Sequence, residues 1–205
     1  MTPSTNYKLS RSDAAALWFF IAVGAVISVW VTVLAIARIV EVLPNTDVTV
    51  MGWFADTEGT APIGPGGSDV AVQLDRAVLT VPTLQPAALW AIVIQQVILV
   101  FAVIIVTGAL IWLTHNFIRG TFFSRRNTVL VATAGVVGFV GYTAVPFFGN
   151  MAANGAFARL SDYSFDNVIM TVEPFSMVVI AFLIALVGTV FSIGERLQRD
   201  TEGLV

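Results

Sequence analysis

The chain has few charged residues and no cysteine, and both shortages restrict what it can be. Only 11% of its 205 residues are charged, whereas a soluble domain carries about 25%. Without cysteine the chain forms no disulfide, thiolate metal site or thiol nucleophile. Because 57% of its residues are hydrophobic, we expect most of the surface to face lipid rather than water.

The polar residues that remain do not form a pattern that catalysis requires. There is one histidine, His115, and no nucleophile–base pair, phosphate-binding loop or HExxH zinc motif is present. Asp162, Asp166 and Asn167 lie close in sequence, but their spacing matches no calcium loop and favours a solvated turn. We therefore predict no enzyme activity, no catalytic, metal or cofactor-binding residues, and no direct binding of nucleic acid.

Four apolar segments are long enough to cross a bilayer as helices, which takes about 20 residues each. They lie at about residues 14–40, 87–115, 129–148 and 175–194. The predicted fold class is an all-α integral membrane protein, a single membrane domain in which four transmembrane helices form a bundle. The predicted partner of these helices is the lipid bilayer in which they are embedded.

Lysine and arginine are distributed unevenly among the segments outside these spans, and this bias predicts the orientation. Seven of the ten lie before the first span, in the connection 116–128, or in the tail 195–205. We therefore expect both termini on the cytoplasmic side of the membrane. The connections 41–85 and 149–174 are then extracytoplasmic and hold two of the other three, Arg76 and Arg159, while Arg38 lies at the outer end of the first span.

The first span has a second interpretation as a signal peptide. Lys8 and Arg11 precede its apolar run, and small residues that resemble a cleavage site occur at 35–37. The hydrophobic part of a signal peptide has about 7–15 residues, and the apolar run at 14–34 is longer. The length of the run favours a retained span.

The connection 41–85 predicts β-structure, because β-branched residues alternate with others at 47–51 and at 70–81. Between these segments, residues 59–67 are rich in glycine and proline and predict a connector without helix. A lone hairpin is only marginally stable. We therefore expect this β-rich cap to pack on the loop 149–174 or on another chain.

Arg38 and Glu41, at the outer end of the first span, are one helical turn apart and can form an ion pair. The cap that follows is acidic. A solvated cap is the favoured interpretation. The alternative is a receptor surface for a cationic ligand or for a partner strand. The acidic residues are Glu41, Asp47, Asp56, Glu58, Asp69 and Asp75, and they face a single base, Arg76.

Polar and small residues inside the spans indicate contacts between helices. Gln95 and Gln96 need hydrogen-bond partners in lipid, so at least one of them should face another helix. Gly135, Gly138 and Gly141 recur every third residue and form a strip that a second helix can approach closely. Packing within the bundle is favoured over a homo-oligomer seam for this strip.

Transport is the alternative function, and it predicts a polar pathway lined by Gln95, Gln96, Thr107 and Thr133. Transporters often break helices or bury charges near the midplane, and only Pro146 hints at such a break. An enzyme acting on lipid is disfavoured, because no acid–base or metal cluster is visible.

Two motifs outside the spans are distinctive. In the connection 116–128, Gly120 permits a tight reversal, Ser124 is a good N-cap for the third span, and the Asn127 amide can reach back toward the connecting backbone. Phe123 belongs to the same motif, Gly-x-x-Phe-Ser-x-x-Asn. The tail carries the second motif, which comprises Gly194, Leu197, Gln198, Asp200, Gly203 and Val205.

These motifs resemble the YoaS-like family of small four-helix bacterial membrane proteins, and the resemblance covers the chain from the second span onward. It implies the same turn motif, a Gly-x-x-Leu-Gln-x-Asp-x-x-Gly-x-Val tail and no particular activity. Members of that family often lie beside a gene for a small helix-turn-helix regulator, which implies a regulatory role. We therefore predict a non-enzymatic interaction, sensing or regulatory module, whose partner is another protein or a second copy of the chain.

The predicted orientation is testable by cysteine labelling, since the chain has no cysteine of its own. Ser68→Cys and Ser161→Cys should react with a membrane-impermeant thiol reagent in intact cells. Thr121→Cys should react only after the cells are lysed. Labelling of Thr121→Cys from outside would contradict the orientation.

Overall fold

The computed structural model describes residues 10–165, 169 and 173–202. The long elements of this part are, in chain order, α1 (Arg11–Val42), β1 (Val48–Ala61), β2 (Val70–Val81), α2 (Pro86–Ile118), α3 (Arg125–Leu160) and α4 (Pro174–Glu202). Each of these four helices is long and apolar enough to cross a membrane. Several residues that entered the predictions lie outside the described part, namely Lys8, Asp166, Asn167, Gly203 and Val205, as does the side chain of Asp56.

The four helices extend beyond the predicted spans, and α3 does so most. The prediction of a loop at 149–174 was wrong in its first part, since residues 149–160 continue α3. Three alanines in this extension, Ala152, Ala153 and Ala156, are buried. The turn predicted at 116–128 is likewise shorter, because α2 runs to Ile118 and α3 begins at Arg125.

Contacts between residues divide the chain into two compact units. The first, called here the helical unit, comprises Met1–Leu34, Leu99–Tyr142 and Pro174–Val205. The second, called the sheet unit, comprises Ala35–Ile98 and Thr143–Glu173. The helices α1, α2 and α3 contribute residues to both.

In the sheet unit, β1 and β2 pair antiparallel, with Val48 opposite Val81. This confirms the β-structure predicted between the first two spans. The prediction for residues 59–67 was wrong at both ends. Residues 59–61 continue β1, and Pro65–Gly67 forms a short 3-10 turn. Proline suits the start of such a turn, because its φ angle is already close to the helical value.

The core of the sheet unit lies where the hairpin meets the extension of α3. The ring of Phe157 lies edge-on to Phe54, with 5.0 Å between ring centroids, and 5.2 Å from the ring of Phe165. A Cβ on Gly52 would lie 2.8 Å from both Leu79 and Phe157, so the absence of a side chain there lets β1 approach the ring. The hairpin therefore does not stand alone; it packs on the segment 149–165.

Polar contacts tie the ends of α1 and α2 to this sheet. Arg38 forms the predicted ion pair with Glu41 at 2.8 Å. Its guanidinium also donates to the carbonyl and the hydroxyl oxygen of Thr49 on β1. The side-chain amide of Asn45 donates to the Leu84 carbonyl at 3.0 Å and accepts from the Leu84 N–H at 2.8 Å. The start of β1 is thereby fixed to α1, and the two segments that connect the hairpin to α1 and α2 are fixed to each other.

In the helical unit, large apolar side chains are exposed along the helices, among them Trp30, Phe101 and Phe182. In water, each exposed side chain of this size would forgo about 1.5–3 kcal/mol of burial free energy. Lipid removes that cost, because acyl chains are as apolar as the side chains. The exposed faces therefore support a multi-pass membrane protein, in agreement with the length of the helices.

The core of the sheet unit should be sensitive to loss of an aromatic ring. Phe157 is 5% exposed, and Phe147 on the same helix is 61% exposed. Phe157→Ala should lower the free energy of unfolding by about 3–5 kcal/mol, because it removes the ring on which the hairpin packs. Phe147→Ala is the matched control and should have a smaller effect on the melting temperature in detergent. Equal melting temperatures for the two variants would show that the sheet does not depend on α3.

Candidate functional site

The turn between α2 and α3 begins at Gly120, whose φ angle of 77° is in the left-handed region that favours glycine. The N–H of Gly120 donates to the Phe117 carbonyl, and the N–H of Thr121 donates to the Asn116 carbonyl, both at 2.9 Å. These two bonds are those of a Schellman motif, which satisfies the last carbonyls of a helix. Gly120 therefore ends α2 and reverses the chain.

Asn127, in the first turn of α3, holds the rest of the connection. Its side chain is 0% exposed, and its amide nitrogen donates to the carbonyls of Thr121 at 2.9 Å and Phe122 at 2.8 Å. Its amide oxygen accepts from the side chain of Asn116 at 2.7 Å. The backbone N–H of Asn127 lies 3.3 Å from the Ser124 hydroxyl, which caps the helix as predicted. One side chain thus links α2, the turn and α3.

The last turns of α4 pack against this connection through aromatic rings. Phe191 lies parallel to Phe117 with 6.5 Å between ring centroids, and 5.7 Å from the ring of Phe123. A Cβ on Gly194 would lie 2.6 Å from the Cε1 atom of Phe123. Only glycine at this position leaves room for the Phe123 ring without a shift.

A polar contact follows one residue later. The carboxylate of Glu195 is 16% exposed; it accepts from the Thr128 hydroxyl at 3.0 Å and from the Arg199 guanidinium at 2.7 Å. Thr128 belongs to the first turns of α3, so this contact joins α3 to α4. We call the connection 119–124, the first turn of α3 and the facing side of α4 the junction.

The junction contains an open cleft of about 220 Å³. Arginine, glutamine, serine and glutamate side chains provide most of its lining, and one aromatic ring provides an apolar wall. The lining residues are Phe123, Ser124, Arg125, Glu195, Gln198 and Arg199.

The structure brings the two sequence motifs together, although not every member takes part. Gly120, Phe123, Ser124 and Asn127 build the connection, and Gly194 and Gln198 face it from α4. Leu197 is 62% exposed and Asp200 is exposed as well. Gly194 and Glu195 make the contact between the tail and the turn, and the expected role of Leu197 in this packing stays a prediction.

Four residues that build the site escaped the sequence analysis, namely Asn116, Thr128, Phe191 and Glu195. The sequence does contain a pattern that could have identified two of them, because Phe191, Glu195 and Gln198 have the spacing of residues on one face of a helix. Asn116 is buried at the end of a long apolar run, where an amide needs a partner.

The residues predicted to pack helices lie elsewhere. In the sheet unit, Gln95 donates to the Val145 carbonyl of α3 at 3.1 Å, and its amide nitrogen would lie 2.6 Å from a Cβ on Gly149. Gln96 is half-buried. The helix α3 passes through Pro146 without ending, so the break suggested by that proline does not occur.

The glycine strip of α3 contacts two other helices of the helical unit. A Cβ would lie 2.6 Å from Ile184 at Gly135, 3.7 Å from Val106 at Gly138 and 2.7 Å from Ala102 at Gly141. The strip is therefore used for packing inside the chain, against α4 and α2.

Comparison with family models, with curated proteins and with solved structures finds no match for this chain.

The junction should depend on the Asn127 amide group rather than on its volume. Asn127→Asp keeps the shape but removes both N–H donors, so the carbonyls of Thr121 and Phe122 lose their partner and a charge is buried. We expect the free energy of unfolding to fall by at least about 1–3 kcal/mol, measured by thermal unfolding in detergent. Asn154→Asp, at an exposed position on the same helix, is the matched control and should change little. The same loss in both variants would show that the junction network is not specific.

Proposed function

We propose that this chain is a non-enzymatic multi-pass membrane protein that docks a protein partner at the junction and acts as a sensing or regulatory module. One observation carries the proposal: two segments far apart in sequence are packed into a single polar surface at the ends of three apolar helices. Asn127 fixes one segment, and Gly194 and Glu195 hold the other against it.

A surface that is already ordered favours recognition, because less conformational entropy is lost when a partner binds. The exposed side of α4 offers an apolar group among charges, with Leu197 between Arg196 and Asp200 along the helix. Such a mixture is typical of a contact surface, in which an apolar anchor supplies affinity and a polar rim supplies specificity.

The orientation is part of the proposal. Arginines at the junction favour the cytoplasmic side of a bacterial plasma membrane, and the termini are then cytoplasmic too. Membership of the YoaS-like family is likewise proposed. Its support is that Gly120, Phe123, Ser124 and Asn127 of the turn motif, together with Gly194 of the tail motif, meet in one site. The junction arginines are Arg119, Arg125, Arg126, Arg196 and Arg199.

Transport has less support from the geometry. Gln95 and Thr107, two of the residues expected to line a pathway, donate hydrogen bonds to helix carbonyls. Thr107 is also 2.6 Å from the hydroxyl of Ser28. Solute flux in proteoliposomes that depends on Gln95 would favour transport over partner docking.

The docking proposal predicts a site-specific crosslink. A photo-crosslinking amino acid at Leu197 should give a discrete protein adduct in cells, and the same group at Ser68 in the hairpin should not give that adduct. Gly194→Ala should abolish the adduct, since a Cβ there displaces Phe123 and separates the tail from the turn. Gly188→Ala is the matched control, because a Cβ at Gly188 meets no neighbouring atom within 4 Å.

Two results would contradict the proposal. The first is the same set of adducts from Leu197 and Ser68, which would indicate random collisions. The second is an adduct that survives Gly194→Ala unchanged, which would show that the partner does not use the junction.

A further inference from the structure

The helix ends at the junction carry residues that favour the headgroup region of a membrane. The apolar part of α2 ends near Trp112, which is exposed. The guanidinium of Arg126 lies over the Trp112 ring, 4.1 Å from its centroid. Tryptophan is enriched at the interface between acyl chains and water, and the cationic group beside it reaches the level of the phosphates. The neighbouring cleft is therefore within reach of lipid headgroups.

The charge of the junction is positive and only partly neutralised within the chain. Among the residues that the structure describes, Arg199 pairs with Glu195, whereas no ion pair involves Arg119, Arg125 or Arg126. Juxtamembrane clusters of arginine attract anionic lipids and add about 1 kcal/mol per residue near the surface.

The cleft offers a place where this attraction becomes specific. Arg125 of α3 and Gln198 and Arg199 of α4 line it, together with Ser124 of the connection. These groups are N–H and O–H donors that suit phosphate oxygens. A volume of about 220 Å³ equals roughly seven water molecules in the liquid, which is enough for a phosphate diester. Phe123 adds an apolar wall next to these donors.

Glu195 limits which phosphate fits. Its carboxylate also lines the cleft and repels anions, but the Thr128 hydroxyl and the Arg199 guanidinium hold it. Two arginines and one carboxylate leave a single positive charge in the lining. This balance favours a phosphodiester with one negative charge over a doubly charged phosphate monoester.

We propose that the cleft between Arg125 and Arg199 binds the phosphodiester headgroup of an anionic phospholipid such as phosphatidylglycerol. The proposal needs no protein partner, so it stands or falls separately from the docking function of the exposed side of α4. If both hold, the lipid occupies the cleft, and the partner contacts the junction beside it, at the exposed part of α4 around Leu197.

The test is lipid retention by the purified full chain in detergent, measured by native mass spectrometry. Phosphatidylglycerol and phosphatidylcholine with the same acyl chains are supplied at equal concentration. We expect phosphatidylglycerol to be retained preferentially. Arg125→Gln should weaken its binding by at least about tenfold, because it removes a hydrogen bond to a charged group, and Arg125→Lys should retain more of the binding than Arg125→Gln.

Arg11→Gln is the matched control, since Arg11 is exposed on α1 and does not line the cleft. It should reduce phosphatidylglycerol binding much less than Arg125→Gln, with the same melting temperature as that variant. Equal losses in Arg125→Gln and Arg11→Gln would indicate diffuse attraction and overturn the proposal. Equal retention of the two lipids would also overturn it, as would displacement of phosphatidylglycerol by millimolar inorganic phosphate, which would assign the cleft to a soluble anion.

Discussion

The structure depends on one constraint: a polar group on a helix surrounded by lipid must find its hydrogen-bond partner inside the protein. In the described residues, every buried side-chain nitrogen or oxygen has such a partner. Ser28 and Thr107 pair with each other, and Gln95 reaches a carbonyl of α3. The junction applies the same rule most strictly, because Asn127 is fully buried and all of its side-chain amide bonds are made within two helices and their connection. The junction has a defined structure because the buried Asn127 amide requires these hydrogen bonds.

Close approach of helices is the second requirement, since lipid supplies no hydrophobic force that drives helices together. Dispersion and hydrogen bonds must then hold the helices together, and both require short distances between the helices. In the helical unit, glycine at 135, 141 and 194 allows neighbouring side chains to approach the helix closely. At Gly194 the space is taken by an aromatic ring from the turn. The tail is therefore held by shape as well as by the carboxylate of Glu195.

Sequence patterns over a few residues predicted the turn and the helix cap correctly. They did not predict features that depend on contacts between residues far apart in the chain. Gly120, Ser124 and Asn127 were predictable, because a left-handed C′ position, an N-cap and a first-turn amide act over a few residues. The extension of α3 was not predicted, because residues 149–160 lack the continuous apolar run by which the spans were identified, and their buried alanines pack in the core of the sheet unit. Glu195 and Asn116 were missed for the same reason, since their partners lie on other helices.

The central claim is that the turn and the tail form one ordered junction. The most direct measurement is disulfide formation between cysteines at 123 and 194, because a Cβ on Gly194 would lie 2.7 Å from the Cγ atom of Phe123, which is one bond from the Cβ of residue 123. The two Cβ atoms are thus close enough for a disulfide, which needs a separation of about 3.5–4.5 Å. We predict that Phe123→Cys/Gly194→Cys oxidises rapidly to an intramolecular disulfide in membranes, and that Phe123→Cys/Gly188→Cys does not, since a Cβ on Gly188 meets no neighbouring atom within 4 Å. Equal, slow oxidation of both pairs would contradict the account, because it would mean that α4 does not rest on the turn.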